Sequence, residues 1–525
     1  MTRDEACARL DGENDGFDII VIGGGASGAG IAFDAAWRGY RVALFERGAF
    51  GAGTSSRSSK LIHGGLRYLG LGQLDLVREA LRERSRLLAN APAIVAPLGF
   101  VIPTYSRFER AKFRVGLALY DYLAGAARLY PSRGLHVAEL RERTPTVVAD
   151  GCRGALWYAD AGFDDSRLLL ALLAGARRAG ALTLNHAEVT ALLPDAHGRT
   201  GGVVVHDREH DREHAVRARV VINAAGPYGD GVRALDGVAG GAHVVPSQGA
   251  HVVVPRRFHP GGDVIVFPHT PDGRIMFAIP WHGQVVLGTT DRPVAEPLAV
   301  PRAQDAEIDE ILDVARRFLD PAPERGDVSS VFAGLRPLAG APDGSATSRR
   351  SREHTLDVSS SGMVSVSGGK WTTYRLIAEQ AVDLAVASAG LPPRQCTTRD
   401  LGFADGDPDA PYAVYGEDAP ALATIASADP SLAAPLHPRL DCTGAEFVWA
   451  CRAELAVHVG EALAYHTRAL FLDAAAACAV APRVAALMAA ELGRDAAWIA
   501  AEVAATHRLA EAFSLTPIPA PGRPG

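Results

Sequence analysis

Phe17-Asp-Ile-Ile-Val-Ile-Gly-Gly-Gly-Ala-Ser-Gly28 decides the fold. Ile19 to Ile22 is an unbroken apolar run, the pattern of a strand covered on both faces, and it leads directly into Gly23-x-Gly25-x-x-Gly28. In that spacing Gly23 permits a tight turn, Gly25 lets backbone approach a pyrophosphate, and Gly28 lets the next helix sit close to the strand. Ala29, Ala32, Phe33, Ala36 and Trp37 then recur at helical spacing before Gly39. A second apolar run, Val42-Ala-Leu-Phe45, delivers Glu46 at a strand end, where a ribose hydroxyl would be bound. The order strand, glycine turn, helix, strand, acid predicts a dinucleotide-binding unit. It does not tell a flavin from a nicotinamide.

The totals narrow the class. A chain of 525 residues with 48% apolar content can build several cores, so two to four domains of a globular enzyme are expected. A net charge of −7 with no dominant basic stripe argues against DNA or RNA as partner. The first ten residues are charged and lack an apolar core, so no signal peptide is expected, and no apolar run reads as membrane-spanning. A cytoplasmic location follows as the expectation. The six cysteines, at 7, 152, 396, 442, 451 and 478, show no C-x-x-C spacing, so neither a zinc site nor an iron–sulfur cluster is expected.

Lysine usage is more pointed. Only Lys60, Lys112 and Lys370 are lysine among 53 basic residues. Where a compact ammonium differs from a guanidinium fork, a lysine is worth keeping, and Lys60 and Lys370 both lie in glycine- and serine-rich motifs. Lys370, in Ser367-Gly-Gly-Lys-Trp-Thr-Thr-Tyr-Arg375, sits between a strand and a helix start whose backbone N–H groups would face a negative ligand. An ammonium opposes the dipole there unless it meets an anion.

Along the chain a helix is read at Leu76 to Leu88, a helix capped by Asp164 follows, and two strands are read across Ala181–Leu193. The doublet Asp207-Arg-Glu-His and Asp211-Arg-Glu-His214 suggests a metal tract, but alternating strands on both sides favour a solvated, functionally silent hairpin tip. The return strand ends apolar at Gly226, a second close backbone approach to the same cofactor. Short strands with turn signals between 241 and 333 read as an antiparallel substrate sheet. Beyond 396 the chain is alanine-rich and helical, with a proline-rich tail at 516–525 expected to be disordered.

The run Thr54-Ser-Ser-Arg-Ser-Ser-Lys-Leu-Ile-His-Gly-Gly-Leu-Arg-Tyr-Leu69, with Gly288-Thr-Thr-Asp291, Gly334-Leu-Arg-Pro-Leu338 and Ser367–Arg375, resembles the FAD-dependent glycerol-3-phosphate dehydrogenases. The likeness runs from about residue 17 to about 510 in the family's order. It implies an α/β fold with an FAD-binding Rossmann-like parallel sheet, an antiparallel substrate-binding sheet and a C-terminal helical domain. The implied division is 17–105, 155–240 and 334–395 for FAD, 106–154 and 241–333 for substrate, and 396–515 for the helical domain.

It also implies oxidation of sn-glycerol 3-phosphate to dihydroxyacetone phosphate, with electrons passed to membrane quinone from a peripheral position on the inner face of the cell membrane. A homodimer is compatible with it. Flavin contacts implied by the first motifs are Gly23, Gly25, Ala26, Ser27, Gly28, Glu46, Arg47, Thr54 and Ser55. The central run adds Ser59, Lys60, His63, Gly64, Gly65 and Leu66, and distant segments add Val189, Gly226, Gly369 and Thr372. No metal is implied.

Chemistry sets the same requirements. Oxidising a secondary alcohol needs hydride delivery to flavin and an acceptor for the hydroxyl proton, while a phosphate dianion needs cations. Arg336, Arg352 and Lys370 match the family's substrate contacts, Arg67 and Tyr68 match residues beside the flavin, and with His251 these two are also read as substrate-binding. His63 is read as proton acceptor or as a flavin-positioning donor, with His251 the runner-up. Arg107 to Leu123, holding Lys112, mixes basic and aromatic residues, as an interfacial helix or a buried amphipathic helix would.

Three alternatives stay open: an oxidase releasing hydrogen peroxide, an amine-oxidising flavoenzyme, and a flavin-binding protein without catalysis. Tyr465-His-Thr-Arg468 departs from the family's pair of arginines, which leaves docking of the helical domain open.

Overall fold

The computed structural model describes residues 2–12, 16–237, 243–270, 273–340, 353–407 and 410–518. Its first sheet has eight strands, with His354–Val358, Val364–Gly368, Arg212–Asn223, Phe17–Ile22, Val42–Phe45 and Leu182–Leu184 in spatial order. Phe17–Ile22 lies between two parallel neighbours, Ile19 opposite both Val42 and Val220. Its apolar run is unbroken because both faces are covered. Ile19 and Val21 pack under the helices Ala26–Trp37, Asp165–Arg178 and Tyr374–Ser388, while Ile20 and Ile22 pack beneath Val203, Val205 and Val216 of an antiparallel hairpin. Asp164 caps its helix as expected, its carboxylate accepting from Arg167 N.

The hairpin at the doublet forms as expected, with Arg212–Asn223 paired to Thr200–Asp207. The solvated reading of its tip holds for Arg208, His210 and Asp211, which are exposed, but not for the whole doublet. Asp207 is fully buried against Arg3 of an N-terminal helix, Arg3–Gly12, and Glu209 is half-buried against His458. Alternation in the strands predicts the hairpin but carries no information about what later packs on its turn.

The second sheet has ten strands, ordered from Arg292–Pro293 through Val244–Pro255, Gln284–Gly288, Met276–Trp281, Val264–Phe267, Val95–Pro103 and Ala155–Phe163 to Leu61–Ile62. Ser330–Ala339 pairs along Val244–Pro255 from Val244↔Ala339 to Val253↔Ser330. Ile308, Ile311, Leu312 and Ala315 of the helix Asp305–Phe318 recur at helical spacing and close one face over Val252, Val254 and Leu287.

Here the expected boundaries are revised. Val95–Pro103 and Ala155–Phe163, assigned above to the FAD segments, pair with each other and join the substrate sheet, as does Ser330–Ala339. Apolar strands of the two sheets look alike in sequence, and only non-local pairing tells them apart.

The C-terminal region is built from helices, chiefly Gly444–Ala453, Ala474–Leu492 and Ala496–Ala510. Ala474–Leu492 does reach membrane-spanning length and hydropathy, contrary to the reading of the sequence. Half of it is buried, and Val480, Val484 and Met488 lie in the main core, as in the core helix of a folded domain.

The region docks on the helix Asp165–Arg178, which covers the first sheet, through buried charge. Arg167 grips both oxygens of Glu454 at 3.1 and 2.6 Å, His466 Nδ1 lies 2.8 Å from Glu454, and Arg468 meets Asp164 at 2.8 Å. His466 and Arg468 of the divergent segment are thus docking residues. Burial opposes both carboxylate charges, yet Arg167 and Arg468 hold Glu454 and Asp164 far below the ordinary carboxylate range.

Candidate active site

The glycine turn forms a cradle. Gly23 takes φ +109°, and a Cβ there would lie 2.7 Å from Ala224 O. A Cβ on Gly28 would lie 1.9 Å from Gly23 O, so only glycine lets the helix approach. The helix Ala26–Trp37 begins without a side-chain cap, and Ser55 Oγ accepts from Ala26 N at 2.8 Å. Glu46 accepts from Gly24 N at 2.7 Å and Gly48 N at 3.0 Å, which fixes its carboxylate at the cavity wall. The cavity, about 1150 Å³, exceeds the usual range for small-molecule pockets and has room for a dinucleotide and a small substrate.

Three distant segments complete the wall. Trp371 Nε1 donates to Ser55 O at 2.8 Å, tying the Lys370 turn to the Thr54–Tyr68 run. Thr372 Oγ1 lies 3.4 Å from both His63 N and His63 O. Lys370 Nζ stands 3.8 Å from the centre of the Tyr68 ring. Arg336 donates to Thr289 Oγ1 and Thr290 O at 3.0 Å and meets Asp291 at 3.3 Å, so its fork is held in place at the wall. Gly249 makes room for it, since a Cβ would lie 2.2 Å from Arg336 Nη2.

The two histidines differ in environment. His251 is buried, stacks on Phe332 at 4.6 Å, and its Nε2 lies 2.9 Å from Ser59 Oγ. Burial, then Arg336 and Lys60, push its pKa well below the ordinary value, so it stays neutral. His63 is half-buried at the cavity wall. A neutral, desolvated His251 resists taking a proton.

The sequence model described as FAD dependent oxidoreductase matches residues 18–375, and that described as the C-terminal domain of alpha-glycerophosphate oxidase matches 364–499. The mitochondrial glycerol-3-phosphate dehydrogenase of Homo sapiens is 37% identical over 91% of this chain and 71% of that protein.

The chain belongs to the FAD-dependent glycerol-3-phosphate dehydrogenase family.

The Arabidopsis thaliana mitochondrial relative is 42% identical over 74% of this chain, and the chain spans 64% of its length. The glycerol-3-phosphate dehydrogenase of Bacillus halodurans, solved with FAD, superposes with a TM-score of 0.76 at 26% identity, covering 98% of each chain. FAD is therefore the cofactor, and the cradle fits it.

Most of the residues assigned from the family resemblance meet at the cavity. Gly23, Gly25, Ala26, Ser27, Glu46, Arg47, Thr54, Ser55, Ser59, His63, Tyr68, Val189, Gly226, His251, Arg336, Gly369, Lys370 and Thr372 line it. Gly28 serves packing of the helix rather than the wall. Gly64, Gly65 and Leu66 do not line the cavity among the described residues: Gly64 N donates to the Tyr120 hydroxyl at 2.9 Å, and Leu66 packs on the main core. The Arg67 side chain and Arg352 lie outside the described residues.

Lys60 is corrected. Its Nζ is turned into the core, 2.7 Å from Asp165 and 2.8 Å from Ser56 O, surrounded by Trp281, Phe332 and Phe471. A straight ammonium stem fits that pocket, which is why lysine stands there.

Arg57, Gly249 and Tyr465 were missed. Arg57 lines the cavity and donates to the Tyr465 hydroxyl at 3.1 Å, linking the flavin run to the C-terminal region. No local pattern announces a contact between residues so far apart.

Proposed function

We propose that this chain oxidises sn-glycerol 3-phosphate to dihydroxyacetone phosphate and passes the electrons to membrane quinone. The observation that carries the reading is the meeting of Arg336, Lys370 and His63 on the wall of one cavity with the dinucleotide cradle. Bound FAD supplies the hydride acceptor.

The chain's own residues do the rest. Arg336 offers a planar fork to the phosphate dianion, while Thr289, Thr290 O and Asp291 fix its orientation. Lys370 adds a second cation against Tyr68. His63 accepts the hydroxyl proton, held through its backbone by Thr372. His251, kept neutral, orients Ser59. Replacing His63 with Asn tests the assignment: turnover falls by about 10²–10⁴ with FAD still bound, whereas near-normal turnover contradicts it.

The membrane reading rests on the helix Arg107–Ala124. Phe108, Val115 and Tyr122 are 81%, 71% and 77% exposed and recur seven residues apart, with Leu119 beside them and exposed Arg107, Lys112 and Arg114 around them. Such a stripe suits a helix lying in an anionic interface and supports the membrane reading. Leu117 and Phe113, by contrast, pack against the core.

The name of the C-terminal sequence match supports a second reading, in which oxygen is the acceptor. Peroxide released in step with substrate by the pure protein would favour it; quinone reduction without peroxide favours the first.

A further inference from the structure

The hairpin tip and the C-terminal region enclose a second group of chemically reactive side chains. His186 occupies the turn between Leu182–Leu184 and Ala187–Pro194, and Glu209 the turn of the Thr200–Asp207 hairpin. His458 precedes the short helix Val459–Glu461, and Glu502 lies on Ala496–Ala510. His186 Nε2 lies 2.9 Å from Glu461 Oε2, and His458 Nδ1 lies 3.0 Å from Glu502 Oε1. Each imidazole thus has one nitrogen taken by a carboxylate. The other two nitrogens, His186 Nδ1 and His458 Nε2, lie 3.9 and 3.1 Å from a single oxygen, Glu209 Oε1. The rings meet edge-on with centroids 4.9 Å apart.

We propose that His186, Glu209 and His458 form a binding site for one zinc-like divalent cation, with Glu461 and Glu502 holding the two imidazoles. Metal-bound histidines ordinarily give their second N–H to a carboxylate, which fixes tautomer and ring orientation, and both histidines here have that partner. One ligand atom from each of the three residues lies within 4.8 Å of the others. Tetrahedral ligands at zinc distances sit about 3.4 Å apart, so the observed separations need only small side-chain shifts to close on an ion. Two imidazoles and one carboxylate suit zinc better than calcium or magnesium, which take oxygen ligands. His458 is 34% exposed, which leaves an entry path and a fourth position for water.

The ion would be structural. His186 and Glu209 belong to the sheet side and His458, Glu461 and Glu502 to the C-terminal region, so coordination would clamp the two together. Glu461 and the residues following His186, Ala187 to Val189, also line the flavin cavity. The clamp therefore braces its wall without touching the reacting atoms. The adjacent trio Cys7, Asp207 and His210 is a poorer candidate, because Arg3 already neutralises Asp207.

The test uses untagged holoenzyme, stripped with chelator, loaded with zinc and dialysed, with zinc and FAD counted per chain. About one zinc per chain is expected to stay, and to be lost in Glu209→Gln and in His458→Asn with FAD content unchanged. Glu502→Gln should weaken zinc binding by about 10–100-fold, while His210→Asn should leave it intact. Wild-type protein that retains no zinc, or ligand variants that retain as much as wild type, would overturn the proposal. Should a variant fail to fold, zinc titration of the wild type decides alone, since absence of a saturable site at one per chain also overturns it.

Discussion

Lys370 Nζ stands 3.8 Å from the centre of the Tyr68 ring, so a turn late in the chain and the end of the early glycine-rich run meet at the cavity. The ring face stabilises the ammonium where helix geometry alone would not. Replacing Lys370 with Met is expected to lower kcat/KM for glycerol 3-phosphate by about 100-fold, or about 2.7 kcal/mol. FAD content should be unchanged. Steady-state kinetics with flavin quantified per chain checks both halves.

Lys60 gives the opposite expectation. Lys60→Met leaves Asp165 buried without its cation, and stability should fall by about 3–5 kcal/mol. Lys60→Met with Asp165→Asn should recover most of that loss, because no charge is then stranded. Urea unfolding of the three proteins reads the effect. A single variant that is stable but empty of FAD would instead make Lys60 a flavin contact.

Gly249 is a specificity test that sequence alone would not suggest. Gly249→Ala puts a methyl where Arg336 Nη2 lies, displacing the guanidinium. We expect KM for glycerol 3-phosphate to rise by about tenfold, with a smaller loss for glycerol, which has no phosphate to lose. Equal losses on both substrates would point to general damage.

His251 sets a pH dependence. Its pKa in the folded protein lies well below the ordinary value of 6.5, so above that pH both folded and unfolded forms are neutral. As pH falls below about 6, the unfolded chain gains a proton that the folded one refuses, and stability drops by up to about 1.4 kcal/mol per pH unit. Unfolding free energies measured from neutral to mildly acid pH should show a shallower slope for His251→Asn than for wild type.

Much of this was written in the chain. The run Phe17 to Gly28 gave strand, turn and helix because each glycine answers a steric demand visible in one dimension, and Glu46 followed at the strand end. Val95–Pro103 and Ala155–Phe163 fell within segments assigned to FAD binding, yet they pair in the second sheet; their apolar pattern suits either sheet, and each strand's partner is far off in the chain. Lys60 was misread for a related reason: scarcity of lysine showed that an ammonium was needed, not that Asp165 rather than flavin needed it. Contacts such as Ser59 with His251 and Arg57 with Tyr465 join segments with no shared periodicity, so only the folded chain reveals them.

The membrane face has its own test. Phe108→Glu with Tyr122→Glu should abolish binding to anionic vesicles while leaving catalysis in solution intact, since both side chains are exposed. Equal vesicle binding by wild type and variant would place the contact elsewhere.

The central claim is the substrate. Purified holoenzyme mixed anaerobically with glycerol 3-phosphate should lose its yellow flavin absorbance within the time of a turnover, while Arg336→Ala should bleach far more slowly at the same concentration. Flavin that stays oxidised in the wild type under these conditions would contradict the account.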